Sequence, residues 1–310
     1  MTAPAIQLDD VSRWYGQVLG LSKVTLTIPD GVVGLLGPNG AGKSTFMKLV
    51  TGLLAPSQGR VSLFGVDLAS EGGREVRRAV GYCPEHEGIY EELTARELVT
   101  MMAELSGIPR TRSRTAATDA LVSLGLENAL DRRLAGFSKG MRQRTKLAQA
   151  LVHGPKLLLL DEPLTGCDPI ARAQILDRLR ALSQDGTTIV MSSHVLHEIE
   201  ALTREVVVMA RGRVLAEGHV SRLRELMDRH PLRVTVRSPR ARDVAARLVA
   251  EDHVTQVAVE GERIELETRA PDRLYDLLPR LVLDEGLPIT AVESPDDSMR
   301  AVFEYLTEAA

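Results

Sequence analysis

The sequence predicts an α/β protein whose core is a largely parallel sheet. Over residues 1–228, short apolar segments typical of buried strands alternate with segments in which apolar residues recur at helical spacing. Four consecutive leucines, Leu157–Leu160, have the pattern of a strand that is buried on both faces, as strands of parallel sheets are. A glycine-rich loop at residues 37–45, between an apolar run and a helix-compatible segment, favours the same fold class.

The predicted elements of this core follow in a regular order. Loose alternation of apolar residues over 6–28 predicts two strands around a turn at Tyr15, Gly16 and Gln17. The elements predicted next are strands at 32–36, 59–65 and 80–84, with a helix directly after the glycine-rich loop, then a helical stretch over 94–151, a strand at 157–160, a helix at 170–183, a strand at 187–191, a helix at 195–202, and paired strands at 206–209 and 213–216. The helical stretch predicts a subdomain of about residues 90–152.

The sequence changes character near Asp228, which predicts one domain at residues 1–228 and a second at 229–310. The second domain shows the patterns of strand, helix, strand, strand, helix and strand at residues 232–236, 241–250, 254–259, 264–266, 272–283 and 289–292. This order predicts a small α+β domain of the ferredoxin-like type. A closing helix is predicted to place one apolar face at Met299, Val302, Phe303 and Leu306. Because we find no catalytic group of residues here, we expect this domain to serve interaction or regulation.

Composition limits the classes of function. The net charge of −4 and a pI near 6.0 argue against a protein that coats nucleic acid, which would need a basic face. The two cysteines, Cys83 and Cys167, form neither a disulfide framework nor a metal-ligand spacing, so we expect a reducing compartment. No apolar run approaches the roughly 20 residues of a membrane span, and the first ten residues lack the pattern of a signal peptide. We therefore expect a soluble, cytoplasmic protein that reaches a membrane only through a partner.

The glycine-rich loop has the spacing of a P-loop, G-x-x-x-x-G-K-[ST]. It consists of Gly37, Pro38, Asn39, Gly40, Ala41, Gly42, Lys43, Ser44 and Thr45. Its glycines let successive backbone N–H groups turn towards a polyphosphate, and the helix that follows adds the positive end of its dipole. We expect Lys43 to reach the β- and γ-phosphates of a nucleotide, and the Ser44 hydroxyl to bind Mg²⁺.

Two carboxylates follow the leucine strand directly. Asp161 ends a predicted buried strand beside the P-loop, a position suited to holding Mg²⁺, usually through its water shell. Glu162 comes next and is predicted to accept a proton from an attacking water. In isolation, a purely structural interpretation, with one residue as a strand cap and the other as a solvated acid, would be as good as the functional one. The neighbouring P-loop favours the functional interpretation.

Three further segments, together with the P-loop and the acidic pair, resemble the ATP-binding cassette (ABC) family over residues 1 to about 228. They are residues 137–144, residues 165–169, and Ser192, Ser193 and His194. The resemblance implies a P-loop NTPase core with a β-subdomain and a helical subdomain. It also implies that Ser138 and Gly140 belong to the family's signature motif, that His194 is its switch histidine, and that Asp168 links two nucleotide sites. Tyr15 sits where the family places the aromatic that stacks on adenine; the neighbouring Trp14 is the competing candidate.

The chain departs from the family pattern at two places. Phe137, Lys139 and Met141 differ from the usual signature, and Lys139 either adds attraction for the nucleotide or extends into solvent. Glu85 replaces the usual glutamine that contacts Mg²⁺ and senses the membrane partner; a carboxylate still ligates a hard cation. Its added negative charge near the acidic pair implies slower or more metal-dependent turnover. Both departures resemble the subgroup that serves small export-type permeases, including drug exporters, which often carries a C-terminal extension.

The resemblance implies an ATPase that uses ATP and Mg²⁺. It implies a head-to-tail dimer with a second ATPase subunit, which is either identical or different. The dimer is expected to be peripheral on the cytoplasmic face of the cell membrane. There it would power a separately encoded membrane-spanning permease, more specifically an exporter. The alternative is a soluble ABC ATPase that acts on a macromolecular complex. One P-loop, no sustained heptad insert and an acidic balance disfavour that alternative and nucleic acid as a partner.

Two smaller patterns carry less weight. His194 and His197 are spaced i, i+3, but because no third ligand is near them in the sequence we expect no zinc site there. Residues 110–114 contain three arginines, a run that is typical of a solvated helix face, and contact with lipid headgroups is the other interpretation.

Overall fold

The computed structural model describes residues 3–85, 88, 90–221 and 232–293. The chain divides into two compact units, Met1–Gly218 and His219–Ala310. The domain boundary predicted near Asp228 and the predicted closing helix, with Met299, Val302, Phe303 and Leu306, lie outside the described residues. Among the described residues, no helix has the length and apolar character that crossing a membrane requires.

The first unit alternates strands and helices as the sequence predicts. Its strands are β1 (Ile6–Tyr15), β2 (Val18–Ile28), β3 (Val32–Leu36), β4 (Gln58–Leu63), β5 (Val66–Asp67), β6 (Val80–Cys83), β7 (Leu157–Leu160), β8 (Thr188–Ser193), β9 (Glu205–Ala210) and β10 (Arg213–His219). Its α-helices are α1 (Lys43–Val50), α2 (Gly73–Arg77), α3 (Ala95–Leu105), α4 (Arg110–Val122), α5 (Lys139–Leu151), α6 (Pro169–Gln184) and α7 (Leu196–Glu200). The short elements β5 and α2 have no counterpart among the predicted ones.

A six-stranded sheet forms the centre of this unit, in the order β10-β9-β3-β8-β7-β6. The pairs β3–β8, β3–β9, β6–β7 and β7–β8 are parallel, which confirms the predicted parallel core. The leucine strand β7 lies inside the sheet, with Leu160 opposite Cys83 on one side and Met191 on the other. The loops that follow β3, β6, β7 and β8 are therefore brought to one edge, where parallel sheets bind ligands.

A second, antiparallel sheet in the order β2-β1-β4-β5 packs on the same core. The predicted hairpin at its start is present, and Gly16 takes the left-handed backbone conformation, φ +61°, in the turn between β1 and β2. Between the sheets lies α1, whose Phe46 and Met47 are fully buried. The predicted helical stretch contains α3, α4 and α5, and Thr94 begins α3 with a capping box to Glu97.

The second unit has its own apolar core. Its elements are β11 (Leu232–Arg237), α8 (Ala241–Val249), β12 (Val254–Glu260), β13 (Arg263–Thr268), α9 (Pro271–Leu283) and β14 (Ala291–Glu293). The four strands form an antiparallel sheet in the order β12-β13-β11-β14, and the element order is the one the sequence predicts. The core includes Val236, Val244 and Leu281, all fully buried.

Candidate functional site

A cavity of about 410 Å³ opens at the edge of the parallel sheet where β3, β6 and β7 end. It is lined by most of the residues that the sequence predicts for nucleotide and metal binding: Tyr15, Pro38, Asn39, Gly40, Ala41, Gly42, Lys43, Ser44, Thr45, Glu85, Asp161 and Glu162. These residues are up to 147 positions apart in the chain, as Tyr15 and Glu162 are. The fold thus gathers the predicted ligand-binding residues in one place.

The P-loop connects β3 to α1, and Lys43 is the first residue of that helix. Gly40 and Gly42 both have positive φ, +81° and +105°, which L side chains rarely adopt. A Cβ atom on Gly42 would lie 2.8 Å from Leu21 Cδ2 and 2.9 Å from the Gly20 oxygen, so no larger residue fits there. On Gly40 the corresponding position is open space, and a ligand can approach that backbone closely. The loop therefore has the local geometry of an anion cradle at a helix N-terminus.

Lys43 is buried, and its ammonium group is already partnered inside the loop. Its Nζ donates a hydrogen bond of 2.6 Å to the Gly37 oxygen and lies 3.3 Å from Glu162 Oε1. The side chains of Lys43 and Glu162 are only 6% and 5% exposed, so bulk water solvates and screens neither charge effectively. The opposite charges compensate one another in a place where either alone would be costly.

Glu162 has an unusual backbone conformation for a residue other than glycine. Its φ is +49°, in the left-handed region, directly after β7 ends. Its N–H donates a 3.0 Å hydrogen bond to Ser192 Oγ, and its Oε2 lies 3.0 Å from His194 Nδ1. Backbone strain of this kind occurs preferentially at functional sites. The two predicted catalytic residues after β7 and β8 are therefore in direct contact.

Asp161 is also buried, 2% exposed, and its Oδ1 accepts a 2.7 Å hydrogen bond from Ser192 Oγ. The hydroxyl of Ser192 thus bridges the side chain of Asp161 and the N–H of Glu162. The Asp161 carboxylate shares the cavity with the hydroxyl of Ser44 and with Glu85. Three oxygen donors of this type fit a hard divalent cation such as Mg²⁺.

Tyr15, at the end of β1, lines the cavity, whereas Trp14 is not among its described lining residues. The Tyr15 hydroxyl is 3.4 Å from Thr45 Oγ1, and the Arg13 guanidinium carbon is 5.2 Å from the centre of the ring. With 42% of its surface exposed, Tyr15 is placed to offer an aromatic surface beside the P-loop.

Five predicted residues do not line the cavity. Gly37 accepts the hydrogen bond from Lys43, and His194 contacts Glu162. The other three are Ser138, Gly140 and Asp168. Ser138 caps α5 by accepting a 3.2 Å hydrogen bond from the Met141 N–H, and Asp168 caps α6 in the same way through Ala171, at 2.9 Å. The three are nevertheless neighbours, since a Cβ atom on Gly140 would lie 3.8 Å from Asp168 Oδ2. They form a second cluster at the N-terminal ends of two helices.

Lys139, the unusual residue of the predicted signature, belongs to this second cluster. A Cβ atom on Gly166 would lie 2.4 Å from both Cδ and Cε of Lys139, so the lysine stem packs on the backbone of Gly166. Gly166 has φ +73° and belongs to the loop between β7 and α6. The lysine as a whole remains exposed. Its apolar stem therefore contacts the loop that ends at Asp168.

Comparison with curated proteins identifies relatives of this chain. It is 35% identical over 269 residues to the daunorubicin/doxorubicin resistance ATP-binding protein DrrA of Streptomyces peucetius, covering 86% of this chain and 81% of that protein. A profile of the ABC transporter family also matches residues 21–165. The chain belongs to the ABC transporter family. This ABC ATPase is also 32% identical to the daunorubicin resistance ATP-binding protein DrrA2 of Streptomyces coeruleorubidus, covering 99% of this chain and 96% of that protein, so the second unit has a counterpart there.

Other relatives and solved structures agree with this membership. The Nod factor export ATP-binding protein I of Rhizobium etli is 36% identical, covering 70% of this chain and 69% of that protein. A solved ATP-binding subunit of an ABC transporter superposes with a TM-score of 0.64 at 34% identity, covering 72% of this chain and 92% of its own. A bacterial ABC transporter cassette solved as a dimer gives 0.64 at 25% identity, covering 69% of this chain and 98% of its own. The predicted fold class and ATPase activity are confirmed.

Two side chains of this ABC ATPase have contacts that sequence analysis did not assign. Ser192 belongs to the predicted motif of residues 192–194, and in the structure it connects Asp161 and Glu162. Lys146, on α5, donates hydrogen bonds to the backbone oxygens of Pro84 and Glu85. Gln143 and Ala150 lie at helical spacing from Lys146 and are buried on the same helix, so its position on the buried face could be predicted. Its partners could not, because they are about 60 residues away along the chain.

The thiols do not extend the chemistry of the site. Cys83 is fully buried at the end of β6, and burial raises its pKa to about 12, so it stays a neutral thiol. The pKa of Cys167 is also raised, mainly by burial and then by the neighbouring charge of Asp168. Both cysteines are unpaired.

Proposed function

We propose that this chain hydrolyses ATP to power a separately encoded membrane permease, and that the complex is an exporter. The observation that carries the proposal is the shared cavity of the P-loop, Glu85, Asp161 and Glu162. The names of relatives support the direction of transport, since two concern resistance to daunorubicin-type compounds and one concerns export of a Nod factor.

The predicted residues of the cavity and their two neighbours Ser192 and His194 each have a part in the proposed reaction. The amides of the P-loop and Lys43 hold the phosphates, while Tyr15 stacks on adenine. Ser44, Asp161 and Glu85 would hold Mg²⁺, which supplies charge stabilisation when bound. Glu162 takes a proton from the attacking water, and His194, in contact with Glu162, orients the γ-phosphate. Ser192 fixes both acidic residues from the adjacent strand.

The proposed active form is a head-to-tail dimer. Ser138, Gly140 and Asp168 lie outside the cavity of their own chain, at two helix N-termini. In the dimer they close over the nucleotide of the opposing subunit, which excludes water and adds donors where charge develops. ATP then favours the closed pair, and hydrolysis releases it.

The proposed partner is a membrane-spanning permease, and this ATPase is proposed to bind it as a peripheral subunit on the cytoplasmic face of the membrane. The helical region between Glu85 and Ser138, which contains α3 and α4, is the segment proposed to carry motion between nucleotide and permease. The second candidate is an ABC ATPase that acts on a macromolecular complex without a permease. Affinity capture from detergent-solubilised membranes distinguishes the two, because only the first candidate retains a multi-spanning subunit.

Mixing two inactive variants tests the shared site. Lys43→Ala removes the phosphate-binding lysine, and Ser138→Arg blocks the signature side, so each variant alone forms two defective sites. In a mixed dimer one site combines an intact P-loop with an intact Ser138, and phosphate release should return to a fraction of the wild-type rate. If mixing restores no activity although mixed dimers form with ATP, the head-to-tail arrangement is wrong.

A further inference from the structure

Lys146 is a buried lysine, 9% exposed, although lysine is among the residue types least often found in protein interiors. Its ammonium group donates hydrogen bonds to the backbone oxygens of Pro84, at 2.7 Å, and of Glu85, at 2.8 Å. Charge-assisted hydrogen bonds to two consecutive carbonyls compensate the buried cation and fix the course of the backbone there.

The backbone that Lys146 binds leads directly into the nucleotide cavity. Glu85 lines that cavity, and the preceding Cys83 accepts a 2.9 Å hydrogen bond from the N–H of Asp161. One turn earlier on α5, Gln143 Nε2 lies 3.6 Å from Cys83 Sγ. The helix α5 therefore contacts residues 83–85 at two successive turns, next to the acidic side of the cavity.

The same helix begins at the cluster that the proposed dimer places over the other nucleotide. Ser138 caps α5, and Lys146 lies eight residues further on, about 12 Å along the axis at 1.5 Å per residue. Because α5 is one continuous helix, we expect a displacement of Ser138 and Gly140 to reach Lys146, whose ammonium group binds the backbone oxygens of Pro84 and Glu85.

We propose that Lys146 is a positioning residue that presents the Glu85 carboxylate to the metal side of the cavity and makes its position depend on α5. This inference rests on the proposed function, in which Glu85 contributes to Mg²⁺ binding. Glu85, which replaces the family's usual glutamine, is thus accompanied by a buried lysine that binds the backbone at the same residue.

Metal affinity measured without turnover tests this role. The full-length chain is loaded with a non-hydrolysable ATP analogue, and Mn²⁺ binding is followed by the paramagnetic resonance signal of the free ion. Lys146→Met should weaken Mn²⁺ binding about 10-fold, the range seen when supporting contacts of metal ligands are removed. Lys146→Arg, which keeps the charge and donors, should restore most of the affinity. The exposed Lys156→Met is the matched control and should bind Mn²⁺ like the wild type.

A double substitution separates positioning from general destabilisation. In a chain that already carries Glu85→Ala there is no carboxylate to place, so Lys146→Met should change Mn²⁺ affinity by less than about 2-fold. An effect of Lys146→Met that adds fully to that of Glu85→Ala would overturn the proposal. Lys146→Gln, which keeps one amide donor, provides the same comparison if the methionine variant does not fold.

Nucleotide binding measured without metal distinguishes a failure of the role of Lys146 from a failure of the proposed function. It should differ less than about 3-fold between Lys146→Met and the wild type, because the lysine contacts the metal side and not the P-loop. Unchanged Mn²⁺ affinity in Lys146→Met overturns the role of Lys146 alone. A wild-type chain that binds no nucleotide overturns the proposed function and this inference together.

Discussion

The two units of the chain bury different kinds of side chains. Among the described residues of the first unit, five lysine, aspartate and glutamate side chains are buried. Four of them lie at or next to the nucleotide cavity, namely Lys43, Lys146, Asp161 and Glu162, and the fifth is Glu198. Among the described residues of the second unit, no lysine, arginine, aspartate or glutamate is buried. Its charges form exposed pairs, such as Arg247 with Glu285.

This difference indicates which unit carries the energetic cost of burying charged groups. A buried ion pair is often no more stabilising than apolar residues of the same size, so its retention indicates a use other than folding. The second unit has the composition of a structure maintained by its apolar core. Substitutions of the buried charges beside the cavity should therefore alter nucleotide binding and turnover, whereas substitutions in the apolar core of the second unit should lower its stability and leave nucleotide binding unchanged.

The largest effect is expected from Glu162→Gln. Loss of the proposed general base should lower the rate of phosphate release by about 10²- to 10⁴-fold, while ATP still binds. The variant should accumulate as a closed dimer with ATP, measured by size-exclusion chromatography with light scattering. The exposed Glu205→Gln serves as control. Normal hydrolysis by Glu162→Gln would show that another group accepts the proton.

The next effect is expected from Lys43→Ala. It removes a charged partner from the phosphates and leaves Glu162 buried without its nearest cation, so ATP affinity should fall by about 100-fold or more. Titration calorimetry measures the change, with Lys156→Ala as the control. Removing both charges with Lys43→Ala and Glu162→Ala should recover thermal stability that the single substitution loses, without recovering ATP binding.

In the second unit, Leu281→Ala should lower stability and leave ATP binding unchanged, the opposite of the substitutions at the cavity. Leu281 is fully buried in the apolar core, so its truncation should destabilise that unit by about 2–5 kcal/mol. Chemical denaturation followed by hydrogen exchange of this unit measures the loss, and the exposed Leu283→Ala is its control. ATP affinity should not change. A large loss of ATP affinity would mean that the contrast between the units is wrong.

The smallest effect is expected from Glu285→Gln. Hydrogen bonds from the Arg247 guanidinium hold the pKa of the Glu285 carboxyl below its usual range. A lowered folded-state pKa contributes stability above the unfolded pKa of about 4.3, and this contribution disappears as the pH falls through the lower folded value. Glu285→Gln should therefore slightly reduce the acid dependence of unfolding of the second unit below about pH 4.5. Identical acid profiles would show that water screens this exposed pair completely.

Much of the fold and site could be predicted from local patterns. The four leucines of β7, the P-loop before α1 and the acidic pair are contiguous in sequence, so each carries its own structural signal. The two-residue strand β5 and the five-residue helix α2 are too short for a periodic pattern, and they were not predicted. The role of Ser192 arises only because β7 and β8 pair in parallel register, and that of Lys146 only because α5 packs under Glu85. Such contacts depend on tertiary structure.

The direct pairing of Lys43 with Glu162 has a consequence for the proposed reaction. Lys43 Nζ lies 3.3 Å from Glu162 Oε1, so the proposed proton acceptor contacts the cation that is proposed to bind the phosphates. A triphosphate bound at Lys43 would compete with Glu162 for that ammonium group. In the proposed mechanism, nucleotide binding would thus weaken the ion pair and make the Glu162 carboxylate available to the attacking water.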